Sequence, residues 1–106
     1  MLNVEEALKE LSQKNLNQIQ KETAIKWASR ACASFQNCLS EEGAKKMVCW
    51  SVGEEFAHEA VEHAALVEGE DMVSVIKQEL EPYRDRAAQD IDQLFEKKAV
   101  PSEQNP

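Results

Sequence analysis

Residues 24–39 read AIKWASRACASFQNCL, and this stretch decides the class of fold. Its small and apolar side chains recur every three or four positions, which is the period of a helix with one buried face. The members of this stripe are Ala24, Trp27, Ala28, Ala31, Cys32, Phe35, Cys38 and Leu39. Glu22, Lys26 and Arg30 fall on the opposite side, so the stretch predicts an amphipathic helix.

A shorter apolar stripe precedes this helix near the start of the chain. Its members are Val4, Ala7, Leu8 and Leu11. The polar run at 12–17 interrupts the stripe, so the pattern is compatible with two arrangements. Either the first residues form a separate short helix, or they extend the helix that follows.

Two further helices follow the stretch at 24–39. The sequence SEEG at 40–43 has the hydroxyl cap and early acids of a helix start, and predicts a helix from about residue 41 to 68 that stops at Gly69. Asp71 can cap a last helix, in which Pro82 should cause a kink or a division. The apolar stripe of that helix comprises Met72, Val73, Ile76, Leu80, Tyr83, Ala87, Ile91 and Leu94.

These patterns predict an all-α fold. We expect an antiparallel helical hairpin plus a third long helix, kinked near Pro82, that completes a four-helix-type bundle by self-association. Residues 1–98 form one helical domain, because a chain of 106 residues is short for two. The polar end, residues 99–106, contains two prolines and is expected to be a disordered tail.

The composition excludes several classes of function. Twenty acidic against twelve basic residues give a net charge of −8, which excludes nucleic-acid binding through a basic surface. No apolar run is long enough to cross a membrane, and the acidic start of the chain argues against a secretory signal. Three cysteines within apolar helical patterns indicate reduced, buried thiols, so we expect a cytoplasmic protein.

The stretch EEFAHEAVEH at 54–63 holds both histidines of the chain. With about 100° per residue, Glu55, His58 and Glu62 fall within an arc of roughly 80°, so these side chains can touch in pairs. His63 lies about 140° from His58, and a straight helix cannot bring both imidazoles to one ion. Glu59 and His63 are therefore interpreted as surface residues.

Apolar residues also lie on the Glu/His face of this helix, where a solvated face would carry lysine or glutamine. They are Met47, Val48, Ala65 and Leu66. A carboxylate–imidazole row bordered by apolar residues indicates a second packed surface, most simply between subunits. We therefore expect a homo-oligomer.

The pair Glu55 and His58 has Glu-x-x-His spacing, which suits iron or manganese when facing helices add further glutamates. With Glu22 and Trp27 on the preceding helix, in KETAIKW and EEFAH, residues 16–68 resemble a half-bundle of the ferritin-like superfamily. Rubrerythrins and the short encapsulated ferritins are the most similar members. The resemblance implies a site shared by two hairpins, with ferroxidase-like oxidation. It implies the metal ligands Glu22, Glu55 and His58, with Glu62, or alternatively Glu59, bridging the metals or guiding ions inward.

Alternative functions stay open. A non-catalytic interaction or adaptor protein that self-associates or binds a partner helix explains the charge and the two-faced helix equally well. A hemerythrin-like site at His58 and Glu62 would need more histidines than the two present. A phosphoryl-accepting histidine lacks basic neighbours, and Cys49 lacks a basic group to activate it as a nucleophile.

Overall fold

The computed structural model describes the backbone of residues 3–103 and the side chains of residues 3–96. Three helices make up nearly all of this part of the chain: α1 spans Val4–Ser40, α2 spans Ala44–Ala65 and α3 spans Met72–Glu103. The described residues include no strand, and each helix packs on the other two. The all-α bundle predicted from the sequence is therefore confirmed.

The first two helices form the antiparallel hairpin. Trp27 packs on Phe56 with ring centroids 5.3 Å apart, and Phe35 packs on Trp50 with ring centroids 5.4 Å apart. A later residue of α1 therefore contacts an earlier residue of α2, which shows that the two helices are antiparallel. Small residues let the two backbones approach closely along this interface. These are Ala24 and Ala31 of α1 and Ala60 and Ala64 of α2, all buried. The ring of Phe35 is fully buried against Gly53, where there is no Cβ to obstruct it.

Helix α3 runs alongside α1 in the same direction. Lys21 pairs with Glu70 at 2.9 Å near the start of α3, and Lys46, in the first turn of α2, pairs with Asp90 at 3.0 Å. The buried stripe of α3 comprises Met72, Ile76, Leu80, Ala87 and Ile91, as the sequence pattern predicts. Tyr83 was expected on the same stripe but is 37% exposed, because it lies at the edge of the α1–α3 contact.

The apolar residues at the start of the chain extend α1 instead of forming a separate helix. The bundle begins at Asn17, which hydrogen-bonds the backbone of Glu68 in the α2–α3 connection. Residues 4–16, here called the α1 arm, lie before this point and are exposed except for Ala7, which is partly buried. The molecule is 86 Å long, well beyond the roughly 55 Å of α1 alone, because α1 and α3 are offset along the bundle axis.

The predicted start of α2 at Ser40 is wrong. Ser40 is the last residue of α1, and its hydroxyl donates to the carbonyl of Asn37 at 3.0 Å. The chain reverses at Gly43, whose φ of 58° suits a residue without a side chain, and α2 begins directly after it with no side-chain cap. The helix is therefore three residues shorter at each end than the 41–68 predicted.

The predicted cap of α3 is confirmed, whereas the predicted division at Pro82 is not observed. Asp71 accepts hydrogen bonds from the backbone NH of Ser74 at 3.1 Å and from its hydroxyl at 2.6 Å. Pro82 lies inside one continuous helix and is exposed, so the carbonyl that it leaves without a partner can face water. The backbone is helical through Glu103, so part of the expected tail at 99–106 is helical and its last three residues lie outside the described range.

Candidate functional site

The Glu/His face of α2 points away from the bundle core. His58 and Glu62 are in contact, with 2.8 Å between Nε2 and Oε1, as the four-residue spacing predicts. Both side chains stay more than half exposed. Glu55 lies one turn earlier, is exposed, and makes no hydrogen bond or ion pair with any described residue. The row therefore has the predicted geometry on one helix, with its outer side open to solvent.

Glu22 lies on α1 and makes no hydrogen bond with the other three predicted ligands. Its Oε1 accepts a hydrogen bond from Gln18 at 3.0 Å on the exposed side of α1. Gln20 contacts His63 and Trp27 contacts Phe56, so Glu22 lies level with about residue 61 of α2. This is about 9 Å along the axis from Glu55.

No group of three or more His, Cys, Asp or Glu side chains within the described part of the chain is placed to hold a metal ion. The nearest approach to such a group is the His58–Glu62 pair, which supplies two ligands. A metal centre with three ligands per ion would need side chains from a second copy. Metal binding, the ligand set and any ferroxidase activity therefore stay predictions.

His63 has a structural position that the sequence pattern did not indicate. Its Nδ1 lies 2.6 Å from Oε1 of Gln20 on α1, and its Nε2 lies 3.8 Å from the carboxylate of Glu59. The side chain is only 29% exposed, because it lies along the seam between α1 and α2. The helical spacing separates the two histidines, and the expected surface residue His63 is partly buried, with one ring nitrogen beside Gln20.

The cysteines lie in the packed part of the bundle. Burial raises the pKa of the Cys38 thiol, and burial together with the charge of Glu79 raises the pKa of the Cys32 thiol. A raised pKa disfavours the thiolate form that nucleophilic chemistry requires. Cys49 is partly buried, and all three cysteines are free thiols. Their expected role as small packed side chains agrees with these positions.

A row of exposed apolar side chains lies on the α1 arm and its continuation to residue 19. Five side chains there are each between 53% and 65% exposed: Val4, Leu8, Leu11, Leu16 and Ile19. The helical spacing of apolar residues at 4–11 predicts an apolar helix face here. The spacing does not indicate whether that face packs inside the bundle or lies outside it. On α2, Val48 and Leu66 of the predicted second surface are also exposed.

A groove of about 650 Å³ runs between α1 and α3 on the side of the molecule away from α2. Its floor is apolar and includes Ala28, Met72 and Ile76. Two of its walls, Ile25 and Val75, are 48% and 47% exposed. The groove, here called the α1–α3 groove, occupies the position where a fourth helix would pack on the bundle.

Comparison of the chain with protein-family models, with curated proteins and with solved structures found no match. The ferritin-like resemblance therefore rests on the residues in KETAIKW and EEFAH and stays a prediction. None of the helices, over the described residues, combines the length and the apolar character needed to cross a bilayer.

Proposed function

We propose that this protein is a non-catalytic helical interaction protein that self-associates through the α1 arm. The observation that carries this proposal is a row of five apolar side chains along one face of α1, each more than half exposed. Val4, Leu8, Leu11 and Leu16 belong to the arm, and Ile19 lies just inside the bundle. Fully burying a side chain of this kind contributes roughly 1.5–3 kcal/mol. Covering the row would therefore release enough free energy to drive an association.

The arm is built as a stable helix that can present this row. Its first turn is capped by Asn3, whose Oδ1 accepts from the backbone NH of Glu5 at 3.1 Å. Its other end continues into the packed part of α1, so the arm needs no nucleation of its own. A partner therefore meets a surface that is already ordered, which reduces the entropy lost on binding.

The charge of the arm is also compatible with self-association. Residues 4–16 carry three acids and two bases, a net charge of −1, whereas the whole chain carries −8. Two arms, or an arm and another part of the bundle, would consequently meet with little electrostatic repulsion. The remaining acidic charge lies elsewhere and favours solubility.

The test compares two single substitutions that add the same charge at positions about 160° apart around the arm. Leu11→Glu alters the apolar row, whereas Gln13→Glu lies about 160° away and serves as the matched control. Sedimentation equilibrium over a range of concentrations should give a multiple of the chain mass for the wild type and for Gln13→Glu. It should give the mass of one chain for Leu11→Glu. A wild type of single-chain mass, or an unaffected Leu11→Glu variant, would refute the proposal.

A second candidate function is iron or manganese binding at a site shared by two copies. The observation that favours it is the His58–Glu62 pair at 2.8 Å with Glu55 one turn away, on a face with open space outside it. Glutamates of a second copy could complete the ligand set there, with Glu22 as the predicted contribution from α1. Such a centre would support ferroxidase-like oxidation.

The metal content of protein purified from iron- or manganese-supplemented medium tests this candidate. The wild type should hold more metal per chain than Glu55→Ala/His58→Ala, and the same amount as Glu42→Ala, which removes an exposed acid in the α1–α2 turn. Equal metal content in the wild type and the double variant would exclude the site. Thermal unfolding of both variants checks that the fold is retained.

A further inference from the structure

We infer that the α1 arm of one copy lies in the α1–α3 groove of a second copy, and that the arm of the second copy lies in the groove of the first. This inference rests on the proposed function and identifies the partner of the arm as another copy of this chain. Each bundle would thereby gain a fourth helix. The resulting dimer would have two-fold symmetry, with the two α1 helices antiparallel.

The dimensions of the arm and the groove match. The arm comprises 13 residues and is about 20 Å long. The groove follows α3 from Met72 to Tyr83, a span of about 18 Å, and ends near the Lys21–Glu70 ion pair. The length of the arm therefore equals that of the groove to within about 2 Å.

The apolar spacing of the arm suits packing into a helical groove. Val4, Leu8 and Leu11 follow one another at intervals of four and three residues, the spacing of the buried seam in helical bundles. The groove provides apolar walls for such a seam at Ile25 and Val75. The apolar side chains of the arm and of the groove walls are each about half exposed within one chain. Each surface would therefore cover the exposed apolar side chains of the other.

The two-fold arrangement follows from the position of the arm on α1. The arm extends the same helix that forms one wall of the groove, so antiparallel pairing of two α1 helices sets each arm beside the groove of the other copy. With the centre of the arm opposite the centre of the groove, residue 8 lies level with residues 30–31 of the second copy. Cys32, which lines the groove, is within half a turn of that position.

The buried area favours this arrangement over pairing of the two arms with each other. A helix about 20 Å long and 10 Å wide has a lateral surface of about 600 Å², of which a groove covers about half. Two reciprocal contacts therefore bury about 600 Å² per partner, the lower end of the range for stable interfaces. Arm-on-arm pairing would bury about half of that, which is too little.

Disulfide formation tests the contact directly. Leu8→Cys should form an interchain disulfide with Cys32 under mild oxidation, detected as a doubled mass without reductant and assigned by peptide mass spectrometry. Gln13→Cys, on the other face of the arm, is the matched control and should form several-fold less of this product. A Leu8→Cys protein that links mainly through residue 8 of both chains would show arm-on-arm pairing and overturn the inference.

A substitution in the groove separates this inference from the proposed function. Val75→Glu should raise the dissociation constant of the dimer about tenfold or more, whereas Gln89→Glu, exposed elsewhere on α3, should leave it unchanged. If Leu11→Glu dissociates the dimer and Val75→Glu does not, self-association through the arm stands and the groove contact is wrong. If neither variant dissociates it, both are wrong. Circular dichroism of each variant checks that the helices are retained.

Discussion

The side-chain amide of Asn17 pairs with the backbone of Glu68 in both directions. Its Nδ2 donates to the carbonyl at 3.0 Å, and its Oδ1 accepts from the NH at 3.2 Å. These bonds attach the α2–α3 connection to α1, together with the ion pair between Lys21 and Glu70. They also fix the point at which α1 leaves the bundle and becomes the arm.

Removing the Asn17 amide should loosen this connection. Asn17→Ala loses both hydrogen bonds and leaves the two backbone groups of Glu68 to water, so we expect the free energy of unfolding to fall by about 1–2 kcal/mol. Urea denaturation followed by circular dichroism measures the change. Asn15→Ala, two residues earlier on the exposed arm, should have almost no effect. A loss at position 15 equal to that at 17 would contradict the assigned role.

Gly53 is expected to tolerate no side chain. A Cβ at this position would lie 2.6 Å from Cε1 of Phe35, and Phe35 is fully buried and cannot move aside cheaply. Although alanine favours helix more than glycine, we expect Gly53→Ala to destabilise the fold by about 1–3 kcal/mol because of this overlap. The loss measured by thermal unfolding should shrink in a Phe35→Leu background. An equal loss in both backgrounds would show that the ring is not its cause.

Lys46 joins the end of α1 to α3. Its side chain is only 11% exposed, and its Nζ donates to the carbonyl of Cys38 at 2.7 Å and to the carboxylate of Asp90 at 3.0 Å. Lys46→Met keeps most of the stem but leaves both acceptors without this partner, so we expect a loss of about 2–3 kcal/mol in chemical denaturation. Lys45→Met, at an exposed position, is the control. If both variants unfold at the same denaturant concentration, Lys46 has no such role.

Asp71 should make the stability of α3 depend on pH. Hydrogen bonds from the hydroxyl and then from the backbone NH of Ser74 lower the pKa of this carboxyl below its ordinary value. A lowered folded pKa means that the stabilisation is complete above the unfolded pKa of about 3.9 and is lost as the pH falls through the folded value. Asp71→Ala should therefore be less stable than the wild type at pH 7.

The difference between the two proteins should disappear when denaturation is repeated below the folded pKa of Asp71. Ser74→Ala retains the carboxylate and the backbone bond and should show a smaller loss at pH 7. A difference between wild type and Asp71→Ala that stays constant down to the lowest pH at which the protein folds would show that the charged cap is not responsible.

Local pattern was sufficient to predict the helices and much of the core. The stripe from Ala24 to Cys38 is buried as its spacing indicates, and Asp71 caps α3, because periodicity and capping act over a few neighbouring residues. The same reasoning placed Glu55, His58 and Glu62 on one face. It failed at Ser40, where the turn at Gly43 and the continuation of α1 decide which helix the serine belongs to.

The sequence by itself determined that the chain is all-α, which faces of its helices are apolar, and that its two histidines cannot share a site. Only the tertiary structure decided the offset between the helices, which places His63 beside Gln20 in a partly buried position, separates Glu22 from Glu55 and leaves the α1 arm outside the bundle. The physical reason is that periodicity fixes the direction of a side chain around its own helix. The position along a neighbouring helix depends on contacts between residues distant in sequence, such as Asn17 with Glu68 and Lys46 with Asp90.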